Sequence, residues 1–294
     1  MKFKNAVNNY LRTRQFCSLS SSSQKNYEFC LTAFCRMSVM GRTLGNIQVG
    51  KLSVAMCSEI YDTWELETST ANANHNARVF SVLMNYLVAM EIILSNPMAR
   101  VKKRQSEPRS VIWTHDQVMS FLDTAFTKFE WRNIGLIVLM CYEWGQRPID
   151  IRNLVWDSVD LDERVVKIKQ TKRGAEVELP IPDNLFTMLT EQKGDWDFQS
   201  YVVPHHRPQD NAYRPLTVFQ MSGLLAEVKA IAGLPDELRV GDLRKTAIVQ
   251  MIESDVDHLA IQSVTGHKNV SSLNPYNKFS LKTAKSALER RQRQ

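Results

Sequence analysis

Five polar side chains lie in local contexts that could assemble a site for an anion and a nucleophile: Arg147, Lys172, Arg244, His267 and Tyr276. Arginine guanidinium groups keep their charge and bind phosphate oxygens through two parallel hydrogen bonds. Lysine and histidine can transfer a proton, and a tyrosine hydroxyl can attack and form a covalent intermediate. Such residue types suit nucleophilic attack on a phosphodiester, in which negative charge develops on the non-bridging oxygens.

Two short spacings connect these residues to their neighbours. Asp150 follows Arg147 by three residues, and Tyr276 follows His267 by nine. Arg244 comes at the start of a predicted helix, where free backbone N–H groups favour an anion. The pattern therefore predicts that separate parts of the chain contribute to one site.

Each residue also has an ordinary structural explanation. An arginine with an aspartate three residues later is usually a surface ion pair, and a lysine beside a hairpin turn is usually solvated. A Gly-His pair after a helix is often a C-terminal cap, and a tyrosine after a proline often packs half-buried. The adjacent His205 and His206 lack further ligands at suitable spacing, so we predict no metal site. The five residue types in order are what favour a shared site.

Taken in order, these residues resemble the motifs of the tyrosine recombinases, the phage-integrase family. Those motifs are an arginine followed by an acidic residue three positions later, a lysine on a β-hairpin, a His-x-x-Arg sequence, and a Gly-His pair nine residues before a tyrosine. The resemblance covers nearly the whole chain, because the helical N-terminal part is similar to the family's core-binding domain and the rest to its catalytic domain.

The resemblance implies a role for each residue. Arg147 and Arg244 would hold the scissile phosphate, and His267 would add a hydrogen bond to it. Lys172 would protonate the leaving 5′ oxygen, and Tyr276 would attack to give a 3′-phosphotyrosine. Since that bond stores the energy for rejoining, neither a metal nor another cofactor is expected.

One position departs from the family pattern, because Gly241 stands where the histidine of His-x-x-Arg would be. Glycine has no side chain to accept a proton or contact a phosphate, so cleavage would be weakened unless another group substitutes. His267, an ordered water, or the pair His205 and His206 are the candidates. Glycine could also serve a positive φ in the loop that enters the helix.

Positive charge is concentrated in the N-terminal third. Residues 1–105 contain 13 lysines and arginines against 6 acidic residues, whereas the remainder contains 24 against 25. This distribution is typical of polyanion-binding proteins, although a solvated basic surface explains it as well. We expect Lys102, Lys103 and Arg104 to contact DNA phosphates, together with Arg173 at the hairpin turn.

Hydrophobic periodicity predicts helices and no strand in the first hundred residues. Ser21 and Gln24 have capping-box spacing before the first of these helices. Two further helices are predicted around 54–64 and 79–90. The charged segment 99–110 is expected to contribute little to a core.

The second part mixes helical and strand patterns. Thr114 and Gln117 form another capping-box signature, followed by a buried helix over 134–142. Period-two alternation predicts an antiparallel sheet from 155–161, 166–170 and 177–181. Further helices are predicted over 217–232, 243–252 and 256–264.

These patterns predict a mainly helical fold with a small antiparallel sheet in the C-terminal domain. We place a helical core-binding domain at 1–98, a basic linker at 99–112 and a catalytic domain at 113–294. The resemblance implies that the two domains form a clamp on duplex DNA. A chain of 294 residues is also expected to leave no room for the arm-binding domain of some phage integrases.

The implied function is site-specific DNA recombination through a tyrosyl intermediate, with integration or excision by a mobile element as the favoured role. Expected partners are duplex DNA with a specific recombination site and further copies of the chain in a synaptic tetramer. The segment 281–294 is expected to form a helix that packs on a neighbouring protomer or in cis. A weakened or non-catalytic DNA-binding protein on the same scaffold, and a type IB topoisomerase, remain as alternatives.

Composition favours an intracellular protein. The longest apolar run, 134–141, is too short to cross a bilayer, and the N-terminus lacks the apolar core of a signal peptide. The five cysteines show no CxxC pairing, which indicates reduced packing residues rather than disulfides or a zinc site. We therefore expect a cytoplasmic, DNA-associated protein with no membrane partner.

Overall fold

A computed structural model describes residues 1–172, 174–267, 269, 273, 288 and 291. The chain forms two compact units, Met1–Arg109 and Ser110–Gln294, and each has its own hydrophobic core. The boundary between them lies inside the segment predicted as a linker. Arg173, Tyr276 and most of the predicted C-terminal helix lie outside the described residues.

The first unit is built mainly from helices that begin at serine or threonine caps. Ser20, Ser53 and Ser69 each accept a hydrogen bond from the backbone N–H three residues later. The first of these caps lies one residue before the predicted Ser21, and the Gln24 amide instead donates to the backbone of the preceding turn. The helices are α1 (Phe3–Tyr10), α2 (Arg14–Cys17), α3 (Ser21–Phe34), α4 (Val54–Glu67) and α5 (Thr70–Ala89).

A short hairpin in this unit shows that the expectation of no strand was wrong. β1 (Ser38–Val39) pairs antiparallel with β2 (Arg42–Thr43). Met40 and Gly41 turn the chain with positive φ values of 47° and 69°. Two-residue strands are too short to produce a detectable alternation of polar and apolar residues, so the sequence does not predict them.

The basic segment after α5 belongs partly to the first core. Val101 is only 7% exposed and packs in that core, contrary to the expectation that its segment contributes little. The Arg104 N–H donates to the Tyr61 hydroxyl at 2.9 Å, and its carbonyl accepts from the Asn74 amide at 2.9 Å. The segment is therefore bonded to the first unit as far as Arg104.

The second unit combines helices with one small antiparallel sheet. Its strands are β3 (Val159–Asp160), β4 (Val165–Lys169) and β5 (Glu176–Pro180), in that spatial order. Of the predicted first strand, 155–161, only Val159–Asp160 is strand, and Trp156–Ser158 is instead a 3-10 turn. The helices are α6 (His115–Ala125), α7 (Phe129–Trp144), α8 (Pro148–Arg152), α9 (Asp183–Trp196), α10 (Val218–Ile231), α11 (Val240–Glu253) and α12 (His258–Thr265). The predicted fold class is confirmed, although α9 was not anticipated.

Helix α7 is the centre of the second unit. It packs against α6, α8, α9, α10 and α11, and its residues from Asn133 to Cys141 are all buried. The helix ends at Gly145, which adopts the left-handed conformation with φ 59°. Because α7 is surrounded by packed helices, the positions of its two ends are set by the core.

Among the described residues, no helix is both long enough and apolar enough to cross a membrane.

We predict that the cysteine thiols differ sharply in reactivity. Cys17 is exposed, whereas burial raises the pKa of Cys57 to about 12 and also raises the pKa of Cys141. Because the thiolate is the reactive form, Cys17 should react first with a disulfide reagent at pH 8, and Cys57 and Cys141 only after unfolding. Mass spectrometry of briefly labelled protein would measure this order. Rapid labelling of Cys57 in folded protein would contradict the packing described here.

Candidate active site

Arg147 lies where α7 gives way to α8, as the N-cap residue of α8. Its Nη1 donates to the Gln170 side-chain oxygen at 2.8 Å and lies 3.8 Å from Asp150 Oδ2. The Asp150 side chain is fully buried, and its Oδ1 accepts from the Thr171 backbone N–H at 2.8 Å. The spacing of three residues is therefore not a surface ion pair. It connects α8 to the end of β4.

Two buried glutamines connect this arginine to the rest of the site. Gln170 Nε2 donates to Gln146 Oε1 and to the Thr265 carbonyl, both at 2.8 Å. Gln146 Nε2 in turn donates to the carbonyls of Trp144 and Val264. The two amides thus join the C-terminal ends of α7, β4 and α12.

Arg244 is almost buried, with 7% of its surface exposed. Its Nη1 donates to the Gly145 carbonyl at 3.0 Å, and its Nη2 donates to the Thr265 carbonyl at 2.8 Å. Both acceptors lie at helix C-termini, where the helix dipole places partial negative charge. The guanidinium is therefore held in part by the carbonyls of two helix ends.

The position of Arg244 in its helix differs from the prediction. Helix α11 begins at Val240, and not at Leu243, so Arg244 is the fifth helical residue. Only the first four N–H groups of a helix lack an intrahelical acceptor. The backbone of Arg244 therefore does not offer the anion site that the sequence predicted, and its contribution comes from the guanidinium.

His267 follows the left-handed Gly266 that caps α12. The Thr265 hydroxyl donates to the Ile261 carbonyl at 2.6 Å, so the hydroxyl oxygen must accept from His267 Nδ1 at 2.7 Å. His267 Nε2 then lies 3.4 Å from Arg244 Nη2. The Gly-His pair is thus both a helix cap, as the ordinary explanation held, and part of the arginine cluster.

Lys172 is exposed in the turn between β4 and β5. The backbone of its neighbour Thr171 is bonded to Asp150, and Gly174 donates back to the Gln170 carbonyl at 2.8 Å. The start of the turn is thus held beside Arg147, while the lysine side chain faces solvent. Arg173, the other residue predicted at this turn, lies outside the described residues, as does the predicted nucleophile Tyr276.

The basic residues predicted to contact phosphates differ from one another in their surroundings. Lys102 and Lys103 are exposed, whereas Arg104 forms ion pairs with Asp62 and Glu65. An arginine already paired with two carboxylates has less free charge to offer a phosphate. The structure therefore favours the two lysines over Arg104 as phosphate contacts.

His205 and His206 lie at the other end of α7. Near the start of this helix, the Asn133 amide donates to the Pro204 carbonyl, whereas Gly145 follows its last turn. At about 1.5 Å per residue, these ends are about 18 Å apart. Burial lowers the pKa of His206, and the charges of His205 and Arg207 lower it further. The suggestion that these histidines fold over the arginines is wrong.

Gly241 is the second residue of α11, and its φ is not positive. The expected loop conformation that would require glycine is therefore absent at this position. A Cβ built on Gly241 meets no atom within 4 Å. The position has room for a side chain.

Gln146, Gln170 and Thr265 were not predicted as site residues, yet all three are fully buried among the arginines. A signal existed for Gln170, which takes the inward position after Val166 and Ile168 in the alternation of β4. A polar residue at a core position needs buried partners. Gln146 and Thr265 carry no comparable signal, because their burial depends on distant segments meeting.

The described site can bind an anion. Arg147 is joined to Arg244 through Gln170, because the Thr265 carbonyl accepts from both Gln170 and Arg244. His267 Nε2 lies 3.4 Å from Arg244 Nη2, and the Arg147 side chain remains 20% exposed. Fixed guanidinium groups of this kind stabilise charge that develops on phosphate oxygens. In the described part of the chain, histidine, cysteine, aspartate and glutamate side chains form no group of three that could hold a metal.

The sequence of the second unit matches a known family. The model of the phage integrase family matches residues 112–282. Because the match covers more than half of the chain, the protein belongs to the phage integrase family.

Two curated relatives and two solved structures illustrate the similarity. The chain is 27% identical over 157 residues to tyrosine recombinase XerA of Pyrococcus furiosus, with 53% of each protein covered. It is 29% identical over 158 residues to tyrosine recombinase XerA of Thermococcus kodakarensis, covering 53% of this chain and 54% of that protein. The matches thus span about half the length of these relatives.

The fold of almost the whole chain is found in solved structures. Lambda integrase residues 75–356, in a dimer bound to a COC′ core site, has a TM-score of 0.78 at 15% identity, covering 96% of this chain and 100% of that one. The Tn1549 transposon integrase in complex with a circular intermediate DNA has a TM-score of 0.77 at 16% identity, with 99% of each chain covered. At these identities the likeness establishes the fold.

We predict that Gly266→Ala destabilises the protein more than the matched change Gly233→Ala. Both glycines follow helices with left-handed φ values, 68° and 64°. A Cβ at Gly233 meets open space, whereas a Cβ at Gly266 would lie 2.6 Å from Gln170 Nε2. Gly233→Ala should lower the free energy of unfolding by about 1 kcal/mol, the usual penalty for a left-handed alanine, and Gly266→Ala by clearly more.

Urea unfolding of the two variants would measure the difference. Equal losses would show that Gln170 can move aside without cost, and that it is not held in place by its three hydrogen bonds.

Proposed function

We propose that this protein is a site-specific DNA recombinase that cleaves and rejoins duplex DNA through a 3′-phosphotyrosyl intermediate. The observation that carries the proposal is the convergence of Arg147, Arg244 and His267 around Thr265. Its carbonyl accepts from Arg244 and from Gln170, which holds Arg147, and its hydroxyl contacts His267. Family membership supports the same conclusion. Two guanidinium groups and an imidazole that are brought together in this way are suited to binding one anionic group.

In the proposed reaction, the Tyr276 hydroxyl gives up its proton to water as it attacks the scissile phosphorus, and the bond to the 5′ oxygen breaks. Arg147 and Arg244 stabilise the charge on the non-bridging oxygens. His267, whose Nδ1 donates to the Thr265 hydroxyl, adds a hydrogen bond from Nε2 to the same phosphate when its imidazole is doubly protonated. Lys172 gives a proton to the leaving 5′ oxygen from the exposed β4–β5 turn. The reverse attack by a 5′ hydroxyl rejoins the strand and releases the tyrosine.

The substrate in this proposal is duplex DNA with a specific recombination site, and the active assembly is a tetramer. Lambda integrase has been solved as a dimer on a core site and as a tetramer bound to a Holliday junction. The exposed Lys102 and Lys103 would contribute phosphate contacts from the first unit. Integration or excision of a mobile element is the biological role that we favour, and the phage integrase membership supports it.

Replacing the nucleophile tests this proposal. The substrates are nicked duplexes from a library of randomised sequences. Cleavage beside the nick releases a short fragment, so the strand cannot be rejoined, and the wild-type chain should remain attached to the DNA as a denaturant-stable adduct. Tyr276→Phe should bind the recovered duplexes equally well and form no adduct, since phenylalanine lacks the attacking oxygen. Gel electrophoresis of end-labelled DNA measures both. An adduct of undiminished yield in Tyr276→Phe would show that another residue is the nucleophile.

Gly241 favours a second candidate, a catalytically weakened DNA-binding protein on the same scaffold. General acid–base assistance is worth about 10² to 10⁴ in rate, so its loss would leave slow cleavage. A wild-type chain that binds the recovered DNA but forms adduct only slowly would agree with this alternative.

We predict that Gly241→His raises single-turnover cleavage near neutral pH, because an imidazole would restore a proton acceptor. The matched control is Gly241→Ala, since both changes remove a helical glycine and only one adds an imidazole. A Cβ at this position meets open space, and the Tm of each variant checks that it folds. The measurement is the single-turnover cleavage rate of each variant, at saturating protein, on one recovered duplex. If Gly241→His folds, binds and cleaves no faster than Gly241→Ala, position 241 does not limit the reaction.

A further inference from the structure

We infer that Gln170 is a positioning residue for Arg147, and that Gln146 fixes the orientation in which it acts. This inference rests on the proposed function, because the reaction that Arg147 would serve is the one proposed above. The amide of Gln170 supplies the acceptor that holds the Arg147 guanidinium, at 2.8 Å.

The hydrogen bonds leave only one orientation for each amide. Both Nε2 hydrogens of Gln170 point at oxygen atoms, those of Gln146 and of the Thr265 backbone. Both Nε2 hydrogens of Gln146 point at the backbone carbonyls of Trp144 and Val264. Rotating either amide by 180° would place its oxygen against a carbonyl oxygen. The Gln170 oxygen must therefore face Arg147.

Burial penalises any other orientation of these two amides. Gln146 and Gln170 are both fully buried, so an amide group without a partner would pay its full desolvation penalty. The carbonyls that orient them belong to the ends of α7 and α12. The direction of the Arg147 side chain is thus determined by where two helices end, through two intervening side chains.

The chemistry of the acceptor also matters. Asp150 Oδ2 lies 3.8 Å from Arg147 Nη1, which is beyond hydrogen-bond distance. The closer partner is the neutral Gln170, which orients the guanidinium without cancelling its charge. A carboxylate in the same place would orient Arg147 equally well but would compete with a phosphate for it. An uncharged amide therefore suits an arginine that has to bind an anion.

Gln170 cannot itself be a catalytic residue in this scheme, because it has no exposed surface with which to touch a substrate. Its effect has to pass through Arg147. That condition separates a positioning role from a general contribution to stability.

The test compares Gln170→Met with Gln192→Met. Methionine keeps an unbranched side chain of similar length and removes the amide. Gln192 is also fully buried in the second unit, and its Nε2 donates to Asn133 Oδ1 at 2.7 Å and to the Val202 carbonyl at 2.8 Å. It lies beside the start of α7, far from Arg147. The two variants therefore lose similar amides in similar burial, at opposite ends of one helix.

We expect both variants to lower Tm, but only Gln170→Met to slow adduct formation at saturating protein, by about 10- to 100-fold, as misplaced catalytic groups commonly do. Affinity for the same duplex should change less than twofold, because Arg147 meets one phosphate among many. If Gln192→Met slows cleavage as much as Gln170→Met, the effect is one of stability, and the inference is wrong.

A double-variant cycle tests whether Gln170 acts through Arg147. Adding Gln170→Met to Arg147→Ala should slow cleavage no further, because the group being positioned is already gone. If the two losses instead multiply, Gln170 acts on another group and the inference is wrong.

A measurement without DNA separates this inference from the proposed function. The Arg147 guanidinium should show slow rotation of its terminal nitrogens by NMR in wild-type protein and in Gln192→Met, and fast rotation in Gln170→Met. Unchanged rotation in Gln170→Met would overturn the inference whether or not the protein cleaves DNA. If the wild-type protein forms no adduct, the proposed function is wrong. Faster rotation of the Arg147 guanidinium in Gln170→Met than in wild-type protein would still support the role of Gln170 in fixing Arg147.

Discussion

Arg244 carries its charge almost out of contact with water. The second unit is arranged around this constraint. An isolated buried charge is strongly unfavourable unless hydrogen bonds compensate it. Here two helix ends supply the compensation, through the carbonyls of Gly145 and Thr265. Helices α7 and α12 must therefore stop where they do, and each is followed at once by a left-handed glycine. The partial negative charge of a helix end is smaller than that of a carboxylate, so these two carbonyls cancel less of the guanidinium's attraction for an anion than a carboxylate would.

Helix α7 separates two polar clusters in the core of the second unit. At its start, Asn133 and Gln192 bond to each other and to the backbone near His205 and His206. At its end, Gln146 and Gln170 bond to the backbone around the arginines. The residues between them are buried among other helices, so the helix acts as a rigid spacer. The similarity in residue type at the two ends does not imply a common function. Arg132, at the start of α7, is paired with Glu191 and Asp195, whereas the end of the helix lies beside Arg147 and Arg244.

The sequence predicted those features that depend on local patterns. The capping box at Thr114, the alternation of β4 and β5, and the type of most helices were readable because their signals lie within a few residues. The arginines and His267 were singled out by motif order, and the structure brings them together. The tiny β1–β2 hairpin, the true start of α11 and the glutamine pair could not be predicted in the same way. Strands of two residues carry no period, a helix start can shift by a turn with tertiary packing, and a glutamine reveals its partners only after distant segments meet.

The close approach of Gly266 and Gln170 couples the substitutions that these two positions can accept during evolution. A side chain larger than hydrogen at 266 would enter the space of the Gln170 amide, so it would be tolerated only beside a smaller residue at 170. A smaller residue at 170 would in turn leave Arg147 without its nearest acceptor. A single substitution at either position therefore gives a protein that is less stable or holds Arg147 less well. The pair is expected to be inherited as a unit, and a relative that lacks one member should have replaced the other and found a different way to hold its arginine.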